Sequence, residues 1–245
     1  MSTGTAKASP SRRSLLAATA ALAGVMIAPG VRLLEVAQGK SQTGPVSSKV
    51  RWGLLIDVNL CSEGCSECVL ACNRENGLEG GTRPVDVQWI RKVDLKDRAS
   101  GRKLSAPVMC QHCAEPPCVD VCPTGASFKR ADGIVLVDRH ICIGCRYCMM
   151  ACPYKARSFV HEPLTAQKPD VPRGKGCVES CTLCVHKIDR GDGTTACAEA
   201  CPTKAILFGD LNDPNSAISR RIAEIRTTRL RADLRLNTGV HYTGL

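Results

Sequence analysis

Two apolar runs in this chain align without a gap. Leu55-Ile56-Asp57-Val58-Asn59-Leu60 and Leu136-Val137-Asp138-Arg139-His140-Ile141 each end at a cysteine, Cys61 or Cys142, and each predicts a short β-strand feeding a cysteine loop. Further along, the three-residue pieces VLA, VDV, MMA and AEA separate the last two cysteines of four blocks, a length that suits one helical turn. The exits repeat as well: Cys122-Pro-Thr-Gly-Ala, Cys152-Pro-Tyr-Lys-Ala and Cys201-Pro-Thr-Lys-Ala. A strand, a loop and a helical turn, used more than once, predict a duplicated α+β unit. Outside these units lie a loop from Arg74 to Pro107, a Pro-rich crossover from Pro163 to Pro172, and a tail after Gly209. In the tail, Ile218, Ile222, Ile225, Arg229 and Leu230 follow helical spacing, with Arg220, Arg221, Arg226, Arg231 and Arg235 around them, and predict a basic amphipathic helix. At the other end the mild apolar run from Leu15 to Ala28 spans 14 residues, short of the roughly 20 that a membrane-crossing helix needs.

Chemistry enters with the cysteines. Of 17, sixteen fall into four blocks: Cys61, Cys65, Cys68, Cys72; Cys110, Cys113, Cys118, Cys122; Cys142, Cys145, Cys148, Cys152; and Cys181, Cys184, Cys197, Cys201. The third block has the spacing of bacterial ferredoxins, in which three thiolates on one loop hold one 4Fe–4S cluster and the fourth, followed by proline, reaches a different one. Four blocks imply up to four clusters. Structural zinc also uses C-x2-C pairs, but it gives no reason for a fourth cysteine three residues after each third one, nor for Cys-Pro at three of the four block ends. Disulfide frameworks belong to small domains without a core, not to a chain of 245 residues. No C-x2-C is followed by His, so haem attachment is excluded. Cys177 is left over; with three residues before Cys181, as Cys61 has before Cys65, it is a rival for Cys181 as ligand.

Composition and charge narrow the reading. Aromatics are only 3% of the chain and hydrophobics 44%, so metal ligation is expected to supply much of the folding free energy. A net charge of +10 is spread along the chain without an aromatic platform, which argues against a nucleic-acid partner. Arg146, Lys155, Arg157, His186 and Lys187 lie near ligands in sequence and are candidates for raising cluster potentials by favouring the reduced, more negative form. His112 and His186 flank cluster loops and read as satisfied surface histidines. Gly80-Gly81 and Gly174-Lys175-Gly176 are too short for a phosphate loop. With no catalytic apparatus, the chain reads as a non-catalytic electron-transfer subunit of an oxidoreductase complex. Arg12-Arg13 before the apolar run resembles a twin-arginine export signal within residues 1–40, which carries proteins already folded around their cofactors.

The order of blocks, with C-x2-C-x4-C-x3-C-P second and C-x2-C-x12-C-x3-C-P last, resembles the four-cluster subunits of bacterial respiratory reductases of the dimethyl-sulfoxide-reductase and nitrite-reductase-linked type, from about Arg51 to Asp210. The resemblance implies two ferredoxin-like units, one (105–162) inserted in the other (50–75 with 175–210), followed by a docking tail over 211–245. It implies four 4Fe–4S clusters held by Cys61, Cys65, Cys68 and Cys201; by Cys72, Cys181, Cys184 and Cys197; by Cys110, Cys113, Cys118 and Cys152; and by Cys122, Cys142, Cys145 and Cys148. The family spacing favours Cys181 over Cys177. Residues 50–57, 127–159, 178–184 and 208–216, with the extra residue between Cys61 and Cys65, are most similar to the exported DsrO-type subunits of sulfite-reductase-associated DsrMKJOP membrane complexes. That similarity implies electron transfer in dissimilatory sulfur metabolism, beside a polytopic quinone-interacting membrane subunit and a multihaem cytochrome c, on the periplasmic side of the cytoplasmic membrane. The alternative is the iron–sulfur subunit of a molybdopterin reductase acting on polysulfide, tetrathionate or dimethyl sulfoxide, or of a nitrite reductase system.

Overall fold

A computed structural model describes residues 46–78, 83, 85–98, 101–165 and 167–245. The twin-arginine segment lies outside the described residues. Strand β1 (Trp52–Asp57) forms the middle of a three-stranded sheet in the order β8-β1-β9, antiparallel to β8 (Ile206–Asp210) and parallel to β9 (Val240–Thr243). Because β1 is paired on both edges and covered on both faces, it reads as a continuous apolar run, with Leu54, Leu55 and Ile56 all buried. Trp52 stacks on Phe208 across the β1–β8 pair at 5.2 Å between ring centroids. The strand that precedes the first cysteine block is thus hydrogen-bonded to the strand that follows the last.

Three two-stranded pairs lie in the intervening sequence. A hairpin joins β2 (Ile90–Lys96) to β3 (Lys103–Met109), β4 (Ser127–Lys129) pairs with β5 (Val135–Val137), and β6 (Ser158–Phe159) pairs with β7 (Val178–Glu179). The helices are short: α1 (Glu67–Asn76), α2 (Pro117–Asp120), α3 (Tyr147–Ala151), α4 (Val185–Arg190), α5 (Ala196–Glu199) and α6 (Ala217–Glu224). The four expected helical turns between third and fourth cysteines are α1, α2, α3 and α5. α1 packs on α5, and α2 on α3. The result is a mixed, small-element α+β architecture in which cysteines occupy much of the core. The main buried cluster draws in Cys68, Cys72, Cys110, Cys113, Cys152, Cys181, Cys197 and Cys201 beside Trp89, Met109 and Tyr242.

Two segments differ from expectation. The stretch expected as a loop from Arg74 to Pro107 contains the β2–β3 hairpin, whose inner end is buried through Trp89, Ile90, Ala106 and Met109. The amphipathic tail helix stops at Glu224; Ile225 is already extended, and Thr228 makes a bridge to Tyr242. Residues 211–245 therefore also build the core, because fully buried Val240 and Tyr242 complete the sheet. The Tyr242 hydroxyl donates to the Pro107 carbonyl at 3.1 Å and accepts from Gln111 Nε2 at 3.2 Å, fastening sheet to hairpin. No helix among the described residues is long and apolar enough to cross a membrane.

Candidate metal centres

The structure gathers cysteines from distant blocks around shared spaces. Cys61, Cys65, Cys68 and Cys201 line a shared pocket with Ile56, Pro107, Pro202 and Lys92. Burial pushes the Cys68 thiol up to about 11, opposed by the Lys92 ammonium and reinforced by Cys61 and Cys65. The Lys92 ammonium donates to Cys61 Sγ at 2.7 Å. At Cys201, burial pushes upward, but hydrogen bonds from the Thr203 hydroxyl and the Ala205 and Ile206 amides outweigh it and leave the thiol lowered.

Cys72, Cys181, Cys184 and Cys197 form the second group, all buried where α1 meets α5 and the start of α4. Burial holds Cys72 and Cys181 well above the ordinary thiol value, and the same neighbours, Cys184 and Cys197, add to it at both. Burial likewise lifts Cys197 to about 12, although the Thr195 hydroxyl lies 3.3 Å from its sulfur. The Lys187 ammonium pairs with Glu199 at 2.7 Å, and the His186 Nε2 is in hydrogen-bond contact with Glu75 at 2.7 Å.

Cys110, Cys113, Cys118 and Cys152 line a second pocket with Pro117, Val135, Tyr154 and Arg157. Cys110 and Cys113 are both pushed up to about 12 by burial. In the remaining group burial raises the Cys148 thiol, opposed by Arg157 and reinforced by Cys142 and Cys122, and exposed Cys145 lies on the loop between Cys142 and Cys148. Cys122 repeats the surroundings of Cys201: burial raises it, and hydrogen bonds from Ser127, Thr124 and Ala126 bring it below its ordinary value. The exit repeats thus have a physical meaning, since the hydroxyl two residues on and the amides four and five residues on serve a thiolate. The third residue after each of these cysteines is left-handed, Gly125 at φ 68° and Lys204 at φ 54°; Lys155 after Cys152 matches at φ 50°.

Among the described residues no group of three or more His, Cys, Asp or Glu side chains closes on a single metal ion. Two sets of four thiols each line a shared space, which suits a cluster whose irons sit at separate corners, and the other eight cysteines fall into two further sets with the same block spacing. The residues present therefore fit four 4Fe–4S clusters, which supply one-electron redox chemistry when bound.

Cys177 sits apart from the second group. Its thiol donates to the Arg139 carbonyl at 3.3 Å and lies against Cys142, whereas Cys181 faces Cys72, Cys184 and Cys197. His112 is not at the surface: it is buried, its Nδ1 accepts from the Val135 amide at 3.0 Å, and burial with nearby Arg157 lowers it to about 3, so the ring is neutral. The His186 side chain is 9% exposed and held by Glu75. Arg146 lies over the Phe159 ring at 3.8 Å from its centroid. Sequence reasoning singled out Arg157 but missed Lys92, which reaches Cys61 only because the β2–β3 hairpin folds over the first site.

Residues 102–211 match the family described as a 4Fe-4S dicluster domain. The chain is 39% identical to the Hdr-like menaquinol oxidoreductase iron-sulfur subunit 1 of Archaeoglobus fulgidus, covering 96% of this chain and 97% of that protein. It is 37% identical to a tetrathionate reductase subunit of Salmonella typhimurium over 83% of this chain and 76% of that one, and 39% identical to NrfC of Escherichia coli K12 over 76% and 77%. With sixteen cysteines in four blocks and one relative matched nearly end to end, the chain belongs to the family of iron–sulfur electron-transfer subunits of respiratory oxidoreductases.

Proposed function

We propose that this chain carries electrons between a polytopic quinone-interacting membrane subunit and further redox partners, including a multihaem cytochrome c, in a periplasm-facing DsrMKJOP-type complex of dissimilatory sulfur metabolism, without catalysing a reaction of its own. The observation that carries the reading is the end-to-end match with a protein described as a menaquinol oxidoreductase subunit. The four clusters are assigned to the four cysteine groups above, with Cys181 rather than Cys177 in the second. The pairing of β1 with β8 supports nesting of the ferredoxin unit at 105–162 inside the unit made of 50–75 and 175–210. A molybdopterin-reductase role is the second reading, favoured by the tetrathionate reductase match, which covers less of both chains.

Assembly in a complex is supported by the surface at the fourth site. Cys145 is exposed there, and around its loop stand Ile141, Ile143, Tyr147 and Met150, with Ile143 66% and Met150 65% exposed. Large apolar side chains ringing a solvent-facing ligand suit a docking face across which an electron passes. The affinity-tagged chain, purified from detergent-solubilised membranes, is expected to bring down a quinone-reactive membrane subunit and c-type haem. Ile143→Asp combined with Met150→Asp is expected to weaken that recovery at least tenfold with iron content unchanged. Recovery of the unaltered chain free of partners sinks the proposal.

Export rests on Arg12-Arg13. Changing both to lysine is expected to leave folded, iron-loaded protein in the cytoplasm, and fractionation that finds the variant in the periplasm contradicts the twin-arginine route.

A further inference from the structure

Among the described residues, Arg157 is a buried cation set beside thiols of two groups at once. It follows α3 by way of Lys155 and Ala156 and its side chain ends between the third and fourth sites, with the residue only 5% exposed. Nη1 donates to Ser127 Oγ at 2.5 Å and Nη2 to Cys118 Sγ, a third-site thiol, at 3.2 Å. Cys148, a fourth-site thiol, and Cys110 also lie close enough to the guanidinium for their charges to act on it. Among the described residues no carboxylate pairs with it. A guanidinium this deep is costly unless negative charge compensates it, and among the described residues the groups that face it and gain such charge on ligating iron are Cys110, Cys118 and Cys148. The cation of the second site differs, since Lys187 pairs with Glu199 at 2.7 Å.

From this geometry we propose that Arg157 is a shared positioning residue that raises the reduction potentials of the third and fourth clusters together, leaving the Cys72–Cys181–Cys184–Cys197 cluster lower. The proposal rests on the assignment of the four clusters to the four cysteine groups. Each one-electron reduction adds a negative charge to its cluster, and a fixed cation in hydrogen-bond contact with a ligand sulfur stabilises that charge strongly where little water intervenes. Because one guanidinium lies beside both sites, the two potentials are tied: a change at this side chain moves both in the same direction.

The test is potentiometric titration, followed by electron paramagnetic resonance, of the full chain, of Arg157→Gln and of Arg157→Lys, each with iron determined. In Arg157→Gln two of the four reduction steps are expected to move to lower potential by at least tenfold in the one-electron equilibrium, about 59 mV, while the other two stay. Arg157→Lys, which keeps the charge but not the fork, is expected to shift the same two steps less. Four unchanged potentials, a shift of one step alone, or an equal shift of all four overturns the proposal. Should Arg157→Gln fail to hold its iron, the lysine variant decides: unchanged potentials overturn the proposal, and a paired downward shift supports it. Unaltered protein holding about half of the expected sixteen irons instead overturns the cluster assignment itself.

Discussion

Iron removal is expected to unfold the chain cooperatively. Under anaerobic chelation, far-ultraviolet circular dichroism and resistance to limited proteolysis should be lost together as the iron content falls from about sixteen per chain. The elements that carry the ligands cannot stand alone. α2 and α5 are four residues long, α3 five, β6 and β7 two, whereas isolated helices are marginal below about 12 residues. Without iron, the core cluster around Cys72, Cys110, Cys181 and Cys197 faces cavities lined by thiols instead of packed groups. Binding free energy is then folding free energy, as in other metal-nucleated domains. An iron-free chain that keeps its dichroism and protease resistance would show that the sheet and hairpin suffice.

Gly144→Ala is expected to remove the fourth cluster selectively, leaving about twelve irons of sixteen. Gly144 stands between Cys142 and Cys145 at φ 69°, where any side chain is strained, and an added Cβ would overlap the carbonyl oxygen of Gly176 and stand 3.1 Å from the Phe159 ring. The obstacle at Gly176 is backbone, so no rotamer change relieves it, and the loop must move its thiols. Gly125→Ala is the control. Its φ of 68° is equally left-handed, but the added Cβ meets nothing within 4 Å, so the cost is backbone strain alone, about 1–2 kcal/mol, with all iron retained. Iron analysis and the resonance spectrum of the reduced protein separate the two; full loading of Gly144→Ala contradicts the tight-loop account.

The cysteine spacings carried most of what was legible, because a ferredoxin loop is a local device: three ligands within seven to nine residues in the first three blocks, a helical turn and, after Cys122 and Cys201, an exit whose amides serve the last thiol. The apolar runs gave β1 and β5 for the same reason. What escaped was decided by pairing across the chain. The β2–β3 hairpin left only weak alternation, since Val93 and Leu95 on its outer part are largely exposed, and Lys92 gains its role solely from where that hairpin lands. In the tail, Ile218 and Ile222 kept their helical places, but beyond Glu224 a bridge from Thr228 to Tyr242 and the parallel pairing of β9 with β1 outcompeted the helix. His112 looked like a surface residue because nothing in its neighbourhood announces that the Val135 amide will claim its ring nitrogen.

The position of β1 bears on the order in which the protein is made. This strand leaves the ribosome well before both of its partners, β8 and β9, with Leu54 waiting for Phe208 on one edge and Val240 on the other. At ordinary translation speeds the gap is roughly 10–40 s. Throughout that interval the loop at 61–68 is complete while Cys201, across the cavity from it, does not yet exist. The ferredoxin loops at 110–122 and 142–152 face no such delay, since their ligands emerge close together. A nascent chain therefore closes its middle first and its ends last, and an unfinished polypeptide is left with a naked, pairing-competent central strand for proteases and chaperones to detect.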